Sequence, residues 1–153
     1  MAAGCCAAFC MQVSLCAQTE VREAMAMDES VKKVAITFDD GPNPDYTEML
    51  LSGLKERGVN ATFFLLGKEV EQYPEIVKKI HEGGHLIGTH SYEHVNLSNL
   101  TDAAAIEQVD KTNAAIHAII GEFPEYIRPP FGCWKPNLDY ETTMIEVLWD
   151  CHL

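Results

Sequence analysis

Beyond residue 30 the chain alternates short apolar runs with longer amphipathic ones, and this rhythm predicts its elements. Val34 to Phe38 (VAITF) is a β-rich apolar run that ends at Asp39-Asp40-Gly41-Pro42, which is turn chemistry. Tyr46 to Arg57 has helical spacing, with Met49, Leu50 and Leu54 on one face and Gly58 closing the segment. Ala61 to Leu66 (ATFFLL) is a second strand, ended by Gly67. Pro74 to Glu82 is a helix with proline at its start and Gly83-Gly84 past its end. Leu86 to Thr89 is a third strand that delivers His90 to a loop. Thr101 then caps a long helix to Ile120 with Ala105, Val109, Ile116, Ile119 and Ile120 inward. Tyr126 to Arg128 is a fourth strand, and Val147-Leu148-Trp149 begins a fifth. Strands that alternate with helices across short loops predict an α/β fold with a parallel sheet.

Ahead of this domain, expected over residues 31–153, lies a different kind of sequence. Ala2 to Ala17 is uncharged, small and apolar, and it holds four of the six cysteines (Cys5, Cys6, Cys10 and Cys16). Its length suits the apolar core of an export signal, although no Lys or Arg precedes Arg22. Residues 1–30 are therefore expected to be a signal or anchor remnant followed by a polar linker. The expected location is secreted or at the cell surface, with a membrane tether through this segment as one form of it. No C-x-x-C pair exists, which argues against a zinc knuckle or a thioredoxin-like site.

The 153 residues fit one domain with a sizeable core. Eleven Lys and Arg stand against 23 Asp and Glu, for a formal net charge of −12, so phosphate backbones are repelled and nucleic acid is not an expected partner.

Candidate chemistry sits where strands hand over to loops. Asp39 and Asp40 are paired carboxylates: one can bind a cation while its neighbour takes a proton from water. Alone, such a pair also reads as a solvated acidic turn. His90 and His94 are four apart, which places two imidazoles on one face of a helical turn, and imidazole suits zinc and related metals. The same residues, HSYEH, also spell the inverted zinc-protease pattern with Glu93 as base, which requires both histidines inside a long helix. His81, His85, His117 and His152 lack such pairing and read as surface or core residues. Arg128-Pro129-Pro130-Phe131-Gly132 is a stiff turn. Its Arg128 can fix a carboxylate by a bidentate pair, and the Phe131 N–H follows a proline that cannot donate, leaving an isolated oxyanion donor. In a closed parallel β/α barrel, strand ends share one rim, so these distant residues can meet.

Taken together, the segments resemble the polysaccharide deacetylase family, carbohydrate esterase family 4, over roughly residues 31–150. Thr37-Phe38-Asp39-Asp40-Gly41-Pro42 is similar to its first motif, His90-Ser91-x-x-His94 to its second, and Arg128-Pro129-Pro130-Phe131-Gly132 to its third. The resemblance implies a distorted (β/α) barrel and removal of acetyl groups from N-acetylglucosamine polymers (peptidoglycan or chitin) or, in some members, from acetylated xylan. It implies Asp39 as catalytic base held by Arg128, and Asp40, His90 and His94 as ligands of one divalent metal. That metal would be zinc, with cobalt or nickel able to accept the same set. It further implies Ser91 as a brace of the histidine loop and the Phe131 N–H as oxyanion donor. The family usually continues past the Trp-containing strand to an Asp-Trp and then a Leu-x-His motif, whose histidine the resemblance implies as the acid that protonates the leaving amine. His152 stands too early to be that histidine, so a barrel incomplete at its C-terminal end is expected, with a non-catalytic sugar- or metal-binding relative as the alternative.

Overall fold

A computed structural model describes residues 33–135 and 144–150. The apolar N-terminal run, the linker to Ser30, Cys151 and His152 lie outside the described residues. The elements run β1 (Thr37–Gly41), α1 (Thr47–Glu56), β2 (Thr62–Leu65), α2 (Gly67–Gln72), α3 (Pro74–Glu82), β3 (Leu86–Thr89), α4 (Asp102–Ile120), β4 (Tyr126–Ile127) and β5 (Ile145–Glu146), with single 3₁₀ turns at Leu97–Asn99 and Pro130–Gly132. All five strands are parallel and stand in sequence order, β1-β2-β3-β4-β5. Each crossover therefore steps one strand the same way, which is how a barrel is wound.

The sheet is curled. β1 and β4 are three strand spacings apart, about 14 Å on a flat sheet, yet Arg128 just past β4 bonds Thr37 and Asp39 of β1. Side-chain alternation divides each strand between two faces. Phe38, Phe63, Leu65 and Ile87 face outward, into a core with Leu54, Val70, Ile76, Val77, Ile80 and Ile116 of the helices. Ile127 faces a second cluster with Leu97, Ala105 and Val109. Phe64 alternates to the other face, where the Arg128 guanidinium lies over its ring at 4.3 Å. β2 is thus apolar on both sides, as expected of a central parallel strand. Its neighbour at this register is Gly88, and a Cβ there would stand 2.6 Å from the Phe64 ring. Glycine makes room for the ring.

Most expected elements are present. α3 has the expected bounds, with proline in its first turn and Gly83 at its C-cap. The Thr101 hydroxyl caps α4 by accepting from Ala104 N, and Gly121 ends it at a φ of 80°. Three expectations need correction. β1 starts at Thr37 rather than Val34, so Asp39 and Asp40 lie inside the strand rather than in a turn after it. β5 covers Ile145–Glu146, two residues earlier than expected, and Val147 N still donates to Ile127 O. Met49 is 68% exposed, because only Leu54 and, in part, Leu50 of its face meet the core. A fourth helix, α2, has no counterpart in the expected pattern. It is short and charged, and Val70 is its one large buried apolar side chain. Among the described residues no helix is long and apolar enough to cross a membrane.

His85 is a core residue with a specific task. It is buried, its Nδ1 accepts the Ala61 N–H at 3.1 Å, and its ring stands edge-on to Phe63. The acceptor role requires neutral imidazole, and burial lowers its pKa from 6.5. A lowered pKa contributes stability above 6.5 that is lost as pH falls through that value toward the folded one. Between about pH 7 and pH 5, the Tm of the parent chain is therefore expected to drop further than that of His85→Leu. Thermal melts of both at the two pH values check this, and equal drops would remove His85 as the cause.

Candidate metal centre and catalytic pair

Because the strands are parallel, the residues that end β1, β3 and β4 emerge together at the carboxyl end of the sheet. The ladder continues one residue beyond the strands: His90 N donates to Leu65 O and Arg128 N to Thr89 O, both at 2.9 Å. Backbone pairing thus sets the height of both side chains.

Simple alternation would send Asp39 and Asp40 to opposite faces. The register against β2 slips between Phe38 and Gly41, so β1 carries one extra residue, a bulge, and Asp40 takes a φ of 66°. Both carboxylates then reach the inner face. It is this bulge within the strand, rather than a turn at Gly41-Pro42, that brings them together. Asp39 Oδ1 accepts from Arg128 Nη1 at 2.7 Å. Asp40 Oδ1 instead lies 3.5 Å from His90 Nε2 and 3.5 Å from His94 Nε2.

The two histidines do not share a helical turn. His90 follows β3 directly, and the loop to His94 is folded back by positive φ at Ser91 (66°) and His94 (56°). The zinc-protease reading fails on this point, since its histidines need a helix and Glu93 is an exposed loop residue. The loop's backbone is held from every side. Gly67 N and Lys68 N, at the start of α2, donate to Ser91 O and Tyr92 O. The Ser91 hydroxyl accepts His94 N at 3.1 Å, and Gln108 Oε1 on α4 accepts both Tyr92 N and Glu93 N.

His90 is buried, and its Nδ1 lies 2.6 Å from the Arg128 carbonyl oxygen. A carbonyl can only accept, so Nδ1 carries the proton and the Nε2 lone pair is left for a ligand. Burial lowers the His90 pKa, a trend that the Arg128 carbonyl and the charges of Asp39 and Asp40 oppose and nearby His94 assists. Two imidazole nitrogens and one carboxylate oxygen, all within 4.8 Å of one another, form a donor set that fits a divalent metal of borderline softness.

Arg128 is buried and uses both ends of its guanidinium. Nη1 reaches Thr37 Oγ1 and Asp39 Oδ1, each at 2.7 Å, while Nε and Nη2 donate to Val147 O (3.1 Å) and Leu148 O (3.3 Å). The expected bidentate pair with a carboxylate is therefore not formed. The other donors are spent on the chain after β5, which fastens that chain to β1. The Phe131 backbone takes a φ of 61°, and its ring meets the His94 ring edge-on at 4.7 Å. Its N–H has no protein acceptor among the described residues, whereas the next two amides bond Pro129 O and Pro130 O.

All six expected site residues thus converge, joined by two that sequence reasoning did not single out. Thr37 carried a signal, since alternation places it on the same face as Asp39. Gln108 carried none, because it is an ordinary polar residue on a distant helix.

A polysaccharide deacetylase family model matches residues 26–147. The chain belongs to that family. It is 45% identical over 100 residues to the peptidoglycan-N-acetylglucosamine deacetylase of Bacillus cereus, covering 65% of this chain and 36% of that protein. It is 44% identical over 121 residues to chitin deacetylase 1 of Saccharomyces cerevisiae, covering 77% of this chain and 39% of that one. Its fold matches the solved structure of the peptidoglycan deacetylase PdaC from Bacillus subtilis with a TM-score of 0.76 at 39% identity, over 81% of this chain and 61% of that one. The chain thus spans little more than a third of the two curated relatives. The fold is the α/β, barrel-wound parallel sheet of this family.

Proposed function

We propose that this chain carries the metal-dependent centre of a de-N-acetylase acting on N-acetylglucosamine polymers, with zinc as its metal. The observation that carries the reading is the meeting of Asp40, His90 and His94 around one point, beside a second carboxylate, Asp39, that an arginine holds in place. The substrate class is supported by the chemistry shared by the two named relatives, since both act on polymers of N-acetylated sugars.

A metal bound by Asp40, His90 and His94 would supply Lewis-acid polarisation and a lowered pKa for water. Asp39 takes the proton from the attacking water as its oxygen bonds the acetyl carbon. Arg128 holds Asp39 in the orientation for that transfer. The Phe131 N–H donates to the carbonyl oxygen as it gains charge. When the C–N bond breaks, the proton held by Asp39 is available to the departing amine, and the products are acetate and a free amino sugar. The uncharged apolar run Ala2–Ala17 supports export to the cell surface, where such polymers are found, with a membrane tether as one form of it.

The test is acetate release from N-acetylglucosamine oligomers. The zinc-loaded chain is expected to release acetate, a strong chelator to stop it, and added zinc to restore it. His90→Ala is expected to lose both zinc binding and acetate release. A folded, zinc-loaded chain that releases no acetate would instead assign it the non-catalytic, metal-binding role.

A further inference from the structure

We propose that Gln108, on the outer helix α4, is a positioning residue that sets where His94 stands relative to His90 and Asp40. This rests on the metal-site reading above and adds a residue to it that touches neither metal nor substrate.

The loop from His90 to His94 spends two of its few residues at positive φ, Ser91 and His94, so local preference does not hold it in shape. One internal bond, His94 N to the Ser91 hydroxyl at 3.1 Å, closes it, and the rest of its shape is imposed from outside. The carbonyls of Ser91 and Tyr92 are taken by the first amides of α2. The amides of Tyr92 and Glu93 converge on one atom, Gln108 Oε1, at 3.1 and 3.0 Å. Two successive N–H groups aimed at one point form a concave donor site of the kind that takes an anion or a carbonyl oxygen. Here the protein fills it with its own amide oxygen, whose two lone pairs match the two donors. No other side chain accepts from either amide among the hydrogen bonds of the described residues.

α4 is itself anchored at the same height. Lys111, one turn on from Gln108, lies 3.5 Å from the centre of the Tyr92 ring, and the Tyr92 hydroxyl donates to Glu71 Oε2 at 2.7 Å. Asn113 bonds buried Thr89, the residue before His90. The helix therefore grips the end of β3 through Asn113 and the loop after it through Gln108. The first contact fixes His90 and the second fixes the segment that ends in His94. Without the Gln108 oxygen, the Tyr92 and Glu93 amides must turn toward water, and the loop that carries His94 turns with them.

The measurement is zinc affinity of the full chain, by competition against a chelating dye, together with the visible spectrum of the Co²⁺-loaded chain. Gln108→Ala keeps a strong helix former in α4 and is expected to weaken zinc binding by about 10- to 100-fold, the usual effect of losing a partner behind a metal ligand. Its Co²⁺ spectrum is expected to shift, with Tm near that of the parent. Gln108→Glu keeps an oxygen at the same reach and is expected to restore most of the affinity and the parent spectrum. Zinc binding in Gln108→Ala equal to the parent would overturn the proposal. So would a glutamate variant as weak as the alanine one, or an alanine variant that no longer folds, which would make Gln108 a stability residue. A parent chain that binds no zinc would instead sink the metal-site reading, while Asp40→Asn, expected to lose zinc in a folded chain, marks the signal of a broken site.

Discussion

Asp39→Asn is expected to lower acetate release by about 10²- to 10⁴-fold, the range associated with losing a positioned general base, and to leave zinc binding in place. The division of labour between the neighbouring carboxylates is the reason. The bulge in β1 turns Asp40 toward the two imidazoles and leaves Asp39 facing Arg128, so on the proposed reading the first would join the metal set and the second would not. Asparagine retains an oxygen that can accept from Arg128 Nη1, now 2.7 Å from Asp39 Oδ1, so the guanidinium keeps its place. The charge is lost, and with it the basic oxygen that would receive the proton from water. Asp39 is also open to solvent, with 30% of its side chain exposed, so water can reach it. Acetate assays paired with zinc titration of the same preparation check the prediction. Parent rates in the variant would remove Asp39 as base, and loss of zinc along with activity would make it a ligand.

Replacing Arg128 is expected to have the largest effect on stability, about 3–5 kcal/mol for Arg128→Leu, from losing four hydrogen bonds of a buried guanidinium at roughly 1 kcal/mol each. The loss is shared among several contacts. Asp39 and Thr37 lose their donor at β1, and the carbonyls of Val147 and Leu148 lose theirs after β5. Arg128→Lys is expected to recover little. An ammonium is a compact charge with no flat fork, so it cannot span the separation between Asp39 and the two carbonyls or lie flat on Phe64. Urea unfolding followed by circular dichroism reads both variants, and acetate release is expected to fall in each because Asp39 loses its holder. A lysine variant within about 0.5 kcal/mol of the parent, the scale of an ordinary surface substitution, would show that the fork geometry is dispensable.

The elements legible in the sequence are those with local causes. Proline at the start and glycine past the end set α3 to the residue, because they act on their own backbone. The Thr101 cap and the apolar face of α4 are similarly local. The start of β1 is not legible, because Val34 to Ile36 are as β-prone as Thr37 and Phe38. Only pairing with β2, beginning at Thr62 N to Ile36 O, decides where the strand lies. α2 is hidden for a related reason: its first amides are satisfied by the histidine loop, 24 residues downstream in the case of Gly67 and Ser91. Short-range pattern carries no trace of that.

The site divides along the same line. By itself the sequence determined which groups stand at or just past strand ends in an α/β chain: two carboxylates, two imidazoles, one arginine and one backbone amide that follows a proline. The match between strand boundaries and polar residues, together with the order of three motifs, is the source of that knowledge. Only the tertiary structure decided what each one faces. The bulge and the positive φ of Asp40 separate the roles of two adjacent aspartates, and a non-helical loop brings His94 back to His90. Arg128 spends its second edge on the chain after β5 instead of on a carboxylate. Each outcome depends on which backbone groups a distant segment satisfies. Hydrogen-bond partners far apart in the chain leave no periodicity for the sequence to display.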